Sequence, residues 1–379
     1  MRIIFLGLSI TSSWGNGHAT NYRALVRALG RRGHDTLFLE RDVPWYACHR
    51  DAPGAAVLYG SADELRWRHE DAVRDADLVV VGSYVPDGVE VGEWVLETAD
   101  GATAFYDLDT PVTLAKLDAG DEEYLSPELV PRFDLYLSFS AGPALERLEH
   151  DYGALRARAF HCLVDAEAYR PLPARRDLDL GYLGTYSEGR QSALERLLLD
   201  PAHWAPARRF AVAGPQYPET IAWPANVERI EHLPPDEHPA FLARQRFTLD
   251  VTRADMVAAG WSPSVRLIEA AACGVPVITD PWEGLEAFFV PGREILVAHC
   301  ADDVLDYLAL PDGERDAIGR RARERVLRKH TAAHRARELE RHVAALSDVK
   351  PKRAARPPLV EVVSAATFET TAYGRSRSA

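Results

Sequence analysis

Short apolar runs alternate with amphipathic helical segments along this chain, and the alternation occurs twice, on either side of a proline- and charge-rich break. A continuous apolar run bounded by Gly, Ser or Thr reads as a strand buried on both faces. A helix between two such runs carries the chain back to start the next strand parallel to the last. The first series begins with a strand over Ile3–Leu8 and a helix over Ala19–Arg31, whose Tyr22, Leu25, Val26 and Leu29 share one face. It continues through strands at Thr36–Glu40, Asp77–Ser83, Ala102–Tyr106, Asp134–Ser140 and Arg158–Leu163, with helices at Ala62–Arg74, Val89–Thr98 and Pro143–Tyr152. The fold class expected is α/β, a doubly wound parallel sheet.

Residues 165–177 carry two prolines, several charges and no apolar period, which fits a linker after a first domain over 1–164. The rhythm then restarts over 178–330. Strands are expected at Leu178–Gly184, Arg209–Ala213, Val227–His232, Phe247–Val251, Val275–Thr279 and Glu294–Ala298, with a helix at Gly189–Leu199. A long helical stretch from Glu314 to Leu346, broken near His330 and Thr331, closes the ordered chain, so that 331–346 forms a terminal helix. The 347–379 tail mixes Lys350-Pro-Lys-Arg with Ser, Thr and Ala and is expected to be mostly disordered, with Leu359–Val363 as a candidate edge strand.

With 379 residues and a net charge of −13, the chain has room for two cores and is too acidic for a general nucleic-acid or anionic-membrane binder. A local basic pocket for one diphosphate is compatible with that balance. The four cysteines, Cys48, Cys162, Cys273 and Cys300, show no paired metal-ligand spacing, and no stretch approaches the roughly 20 apolar residues of a membrane span. The expectation is a cytoplasmic protein with reduced thiols, no metal and no cofactor.

Four stretches carry candidate chemistry. In Trp14-Gly15-Asn16-Gly17-His18, two glycines permit close approach of a ligand to the backbone ahead of a helix N-terminus, and His18 is a candidate base. Asp107 and Asp109 follow an expected strand, the position where open α/β sheets bind ligands, although Asp109 also suits the N-cap of a helix starting at Pro111. Gly184 and Thr185 sit at the end of the first strand of the second series, and Arg190 is within reach of a diphosphate. Finally, Ser262 as N-cap, Pro263 at the first helical position and Gly274 as terminator define a helix whose first N–H groups, at Ser264 and Val265, suit an anion. Glu269, almost two turns on, suits a ribose diol, with Arg266 as a competing ion-pair partner.

The run Ser262-Pro-Ser-Val-Arg-Leu-Ile-Glu-Ala-Ala-Ala-Cys-Gly-Val-Pro-Val-Ile278 resembles the nucleotide-sugar motif of group 1 glycosyltransferases, especially the branch described as CgeB-like spore maturation proteins. Tyr182-Leu-Gly-Thr185, Val212-Ala-Gly-Pro215 and Pro291-Gly-Arg-Glu-Ile295 agree in order. The resemblance implies a GT-B fold: two Rossmann-like domains facing across a cleft, with the terminal helix crossing back. It implies a nucleotide-diphosphate sugar donor, a hydroxyl acceptor, no metal and retention of configuration. Glu269 would hold the ribose, and Ser262, Ser264, Val265 and Arg190 the diphosphate; the loop from Gly15 through His18 would face the transferred sugar, with His18 and Asp107 as the candidate bases. One position departs from the pattern: many relatives place an acid eight residues before the ribose-binding glutamate, where this chain has Trp261. That departure keeps two other readings open, a catalytically silent binding or coat-assembly protein and a sugar-nucleotide epimerase.

Overall fold

The computed structural model describes residues 1–347, so the expectations for the tail and for Leu359–Val363 lie outside the described residues. Among the described residues, thirteen strands form two wholly parallel sheets. The first contains β1 (Arg2–Gly7), β2 (Asp35–Arg41), β3 (Val57–Tyr59), β4 (Leu78–Gly82), β5 (Ala102–Asp107), β6 (Leu135–Ser138) and β7 (Ala157–Ala159), in the order β3-β2-β1-β4-β5-β6-β7. The second contains β8 (Leu178–Leu183), β9 (Phe210–Ala213), β10 (Val227–Ile230), β11 (Gln245–Asp250), β12 (Val277–Thr279) and β13 (Leu296–Val297), in the order β10-β9-β8-β11-β12-β13. In each sheet the winding reverses beside the first strand, between β1 and β4 and again between β8 and β11. The connections leaving those neighbours diverge to opposite faces and open a crevice beyond their C-terminal ends.

The apolar runs that announce the strands are buried as expected: Ile3, Ile4, Phe5 and Leu6 of β1 and Val79, Val80 and Val81 of β4 are each no more than 1% exposed. The two halves are not independent cores. One apolar cluster runs from Phe5 and Tyr106 through Leu163, Val164 and Tyr169 to Ile268, Ala271, Phe288 and Ala336, so the interface between the sheets is itself packed.

Three local differences from the sequence reading have physical causes. The strand Val57–Tyr59 was not expected, because it is three residues long and follows a proline-containing excursion at 43–56. Of the expected Arg158–Leu163 strand only Arg158 and Ala159 pair in the sheet, as part of β7. Beyond it the chain leaves the edge to reach the second half, and Val164 pairs with Thr331. The helix expected at Gly189–Leu199 winds regularly only over Glu188–Leu194, then widens to a π-turn at Glu195–Leu199. That widening lets three consecutive leucines, 197 to 199, all face inward, which a strict 3.6-residue period forbids.

The long terminal helix breaks where expected, into Asp312–Lys329 and Ala332–Ser347. At the break the chain crosses from the second half to the first: Val164 N–H donates to His330 O at 3.0 Å, and Ala332 N–H donates to Val164 O at 2.9 Å. Helix Ala332–Ser347 then lies along helix His18–Arg31, and Glu340 receives both Arg32 (2.6 Å) and His34 (2.7 Å). No helix among the described residues is long and apolar enough to cross a membrane.

Candidate active site

The C-terminal ends of the two sheets meet: Arg253 pairs with Asp109, and Ser140 Oγ donates to Ser262 Oγ at 3.0 Å. On the first half, the loop between β1 and helix His18–Arg31 is held by Glu40, buried at the end of β2. Glu40 accepts the N–H groups of Ile10 (2.7 Å) and Thr11 (3.0 Å) and the hydroxyls of Ser9 (2.9 Å) and Thr11 (2.5 Å). Sequence reading missed this anchor because its partners are 30 residues away. Asn16 serves the same loop: its amide donates to Ser9 O and Ser12 O, each at 3.1 Å, and its Oδ1 accepts His18 N–H at 3.0 Å. Gly15 has φ +60°, the left-handed turn that favours glycine, whereas Gly17 has φ −69° and open space where a Cβ would stand.

His18 itself is half-buried, with Nδ1 lacking a partner and its ring 5.6 Å from that of Tyr84. Burial pulls its imidazole down to about 4, against the pull of Asp109, so it is neutral at physiological pH. Asp107 is fully buried behind it. Its carboxylate accepts Tyr136 Oη (2.7 Å), Thr113 Oγ1 (2.8 Å) and Asp109 N–H (3.2 Å). As a base, Asp107 has no route to the cleft here, since both of its oxygens are committed to the first half's own scaffold. The carboxylate that faces the other half is Asp109. Residue 109 does occupy the N-cap of helix Thr110–Asp118, but its side chain makes no capping bond. Instead Asp109 accepts Tyr84 Oη at 3.2 Å and forms an ion pair with Arg253 of the second half. Neither Tyr84 nor Arg253 was singled out from sequence.

Burial raises Asp107 to about 6, so its neutral form is favoured in the fold. The corresponding stability is fully present below the ordinary carboxylate range and is lost as pH rises through about 6. The unfolding free energy of Asp107→Asn should therefore gain on wild type between about pH 4 and 6, by about 3 kcal/mol, and hold steady above. Urea titrations across that range test this, and a pH-independent difference would contradict it.

On the second half, the turn after β8 packs closely against the turn after β9. Gly184 O accepts Tyr217 Oη at 3.1 Å, and a Cβ on Gly184 would lie 2.5 Å from Tyr182 Oη. Arg190 stands on helix Glu188–Leu194 just beyond, its Nη1 3.5 Å from Thr185 O and its Nε buried without a partner. The helix before β12 starts later than expected: its N-cap is Ser264, not Ser262, and its first residue is Val265. Ser264 Oγ accepts Leu267 N–H at 3.0 Å and donates to Asp250 Oδ1 at 2.6 Å. Ser262, displaced from the cap, is buried at the interface, where Ser140 Oγ donates to its Oγ at 3.0 Å. Pro263 lies before the cap instead of at the first turn, and it biases Ser262 toward extended backbone.

Glu269 is 2% exposed and pairs with Arg266 at 2.5 Å, the competing partner weighed from sequence. Arg266 also contacts His238 Nδ1 at 3.1 Å, which in turn meets Tyr169 Oη at 3.1 Å. A narrow crevice lined by Leu183, Thr248, Asp250, Arg266 and Glu269 opens along this helix. Asp250, with Oδ2 buried and unpartnered, is raised to about 6 by burial.

Trp261 adopts φ +53°, unusual for a residue with a large side chain. Its indole lies between two glycines of opposite halves. A Cβ on Gly142 would lie 2.7 Å from the ring, and one on Gly284 2.4 Å from it. Its carbonyl accepts Ala141 N–H at 3.1 Å and its N–H donates to Glu283 O at 2.6 Å. Trp261 is therefore a joint between the halves.

Residues 190–341 match the family model described as glycosyl transferase-like. The whole chain shares the GT-B frame of solved glycosyltransferases at low sequence identity. Sucrose-phosphate synthase from Thermosynechococcus elongatus superposes with a TM-score of 0.65 at 13% identity, over 92% of this chain and 100% of that one. HepE of Anabaena, solved with UDP and glucose, gives 0.67 at 12%, over 91% and 100%. An alpha-glucosyltransferase solved with UDP-glucose and DNA gives 0.69 at 12%, over 91% and 99%. No curated protein sequence matches the chain. Within the matched region, Arg266 and Glu269 line the crevice beside β11, and Arg253 reaches across to Asp109, which also accepts Tyr84 Oη.

Proposed function

We propose that this chain transfers a sugar from a nucleoside-diphosphate donor to an acceptor hydroxyl, with retention at the anomeric carbon and without a metal. The observation that carries the reading is the meeting of two unlike surfaces at the winding reversals: guanidinium groups and a helix N-terminus in the glycosyl transferase-like domain, hydroxyl- and carboxylate-bearing side chains opposite. In the reaction the bond from the anomeric carbon to the diphosphate oxygen breaks, and one to the acceptor oxygen forms. The acceptor's proton ends on the departing diphosphate. Negative charge grows on that leaving group, so Arg190 and the first N–H groups at Val265 and Arg266 stabilise the transition state more than the ground state. Those fixed positive groups supply the role a cation would otherwise fill.

Glu269 is the ribose ligand in this reading, exchanging its ion pair with Arg266 for hydroxyl donors at the crevice. Uridine donors are the first to test, since HepE and the alpha-glucosyltransferase were solved with UDP or UDP-glucose. The net charge of −13 supports a small acceptor over nucleic acid. The Ser262–Ile278 run also supports the finer placement in the CgeB-like branch.

A thermal-shift panel of UDP-, GDP-, dTDP- and ADP-sugars checks the donor. A cognate ligand at about 100 times its Kd should stabilise by about 2.7 kcal/mol. Absence of any shift across the panel would overturn the reading. Tight binding with neither transfer nor hydrolysis would favour a silent binding protein, for which Trp261 filling the joint is the supporting observation. An isomerised donor with no free nucleotide diphosphate would favour an epimerase.

A further inference from the structure

We propose that Arg253 is a second diphosphate-binding residue, held by Asp109 until the donor binds and then surrendered to it. This rests on the donor reading above. Arg253 immediately precedes helix Ala254–Ala259, three residues beyond the end of β11, and β11 is the sheet neighbour of β8. The turns that carry Arg253 and Arg190 therefore flank the same winding reversal. Their backbones are close: a Cβ on Gly189 would stand 3.6 Å from Ala254 N.

The side chain of Arg253 is 24% exposed, and its Nε is buried with no partner while Nη2 reaches across to Asp109 Oδ1. Arg190 Nε, on the same side, is likewise buried and unpartnered. Two guanidinium groups with unused buried donors at the mouth of one crevice call for a ligand with several acceptor oxygens. A diphosphate offers more acceptors and more charge than the single carboxylate that now holds Arg253, so exchange is favourable.

The exchange has a second consequence. Asp109 keeps Tyr84 Oη on Oδ2 at 3.2 Å, and loss of Arg253 frees Oδ1 beside His18. The freed oxygen positions an acceptor hydroxyl by accepting its hydrogen bond. Donor binding thus exposes the acceptor's own contact, and the two substrates bind in that order.

A plain structural ion pair and this latch differ in sign. If Asp109 restrains Arg253, Asp109→Asn releases it and nucleotide affinity rises, whereas Arg253→Gln lowers it. Calorimetry with UDP, GDP, dTDP and ADP identifies the nucleotide that wild type binds; UDP and UMP, or the corresponding pair, then probe the variants. The expected results are a loss of about tenfold or more for the diphosphate in Arg253→Gln, a much smaller loss for the monophosphate, and a gain of about two- to tenfold in Asp109→Asn. The double variant should match Arg253→Gln alone, and Arg253→Lys should recover part of the loss. Thermal unfolding of each variant confirms that it is folded. If wild type binds one nucleotide diphosphate but the two single variants shift its affinity in the same direction, or not at all, the latch is wrong while the donor reading stands. If wild type binds none of the four, both fall.

Discussion

Gly214→Ala should destabilise the second half by about 3 to 5 kcal/mol. Gly214 follows β9 with φ +148°, and a Cβ there would lie 1.9 Å from Gly184 O. The obstacle is backbone, already engaged by Tyr217 Oη, so no rotamer change relieves it. Backbone strain at such a φ costs about 1–3 kcal/mol. Overpacking against a fixed neighbour costs about 1–3 more. The turns after β8 and β9 would separate, and Arg190 would lose its place at the crevice. Urea denaturation measures the loss. Gly17→Ala is the control: Gly17 has an ordinary φ and open space around it, so its stability should stay within about 0.5 kcal/mol of wild type. Equal stability of both variants would show that the close approach of the two turns is not needed.

Glu269→Ala should weaken nucleotide-sugar binding by about tenfold or more, equivalent to about 1.4 kcal/mol, because hydrogen bonds from ribose hydroxyls to a charged acceptor are lost. The Arg266 ion pair adds a second effect. Glu269 is buried and its partner Arg266 is 30% exposed along its side chain, so truncation leaves a cation that is only partly solvated. Unfolding free energy should fall by about 1–2 kcal/mol, less than for a fully buried pair. Calorimetry and denaturation separate the two effects, and Glu269→Gln should lie between wild type and alanine in both. Unchanged nucleotide affinity in a folded Glu269→Ala protein would remove Glu269 from the donor site.

The elements were legible in the sequence where burial dictates residue type over several positions. Ile3–Leu6 of β1, Leu78–Val81 of β4 and Ala104–Tyr106 of β5 are continuous apolar runs, and the terminal helix breaks where the period fails at His330 and Thr331. Short pieces such as Val57–Tyr59 carry too few residues to show a pattern. The helix start illustrates a different difficulty. Ser262 and Ser264 are both acceptable caps, and the choice between them is made by tertiary partners, Asp250 for Ser264 and Ser140 for Ser262.

Candidate site residues were legible when glycine or helix grammar marked them, as with Gly184, Arg190 and Glu269. Arg253 and Asp109 are 144 positions apart, and no local rule pairs them. A usable signal existed, since Arg253 stands just past the end of a strand, as Asp109 does. Glu40 escaped for a related reason. An acid that ends a strand reads as a solvated boundary until the loop that covers it is known.

Val164 and Thr331 pair side by side where the chain passes between its halves, once at 165–177 and once at His330–Thr331. Two threads at the same place leave the halves one easy motion, rotation about the line through them. Displacement under that rotation grows with distance from the line, so the contacts farthest from Val164 travel most for a given angle.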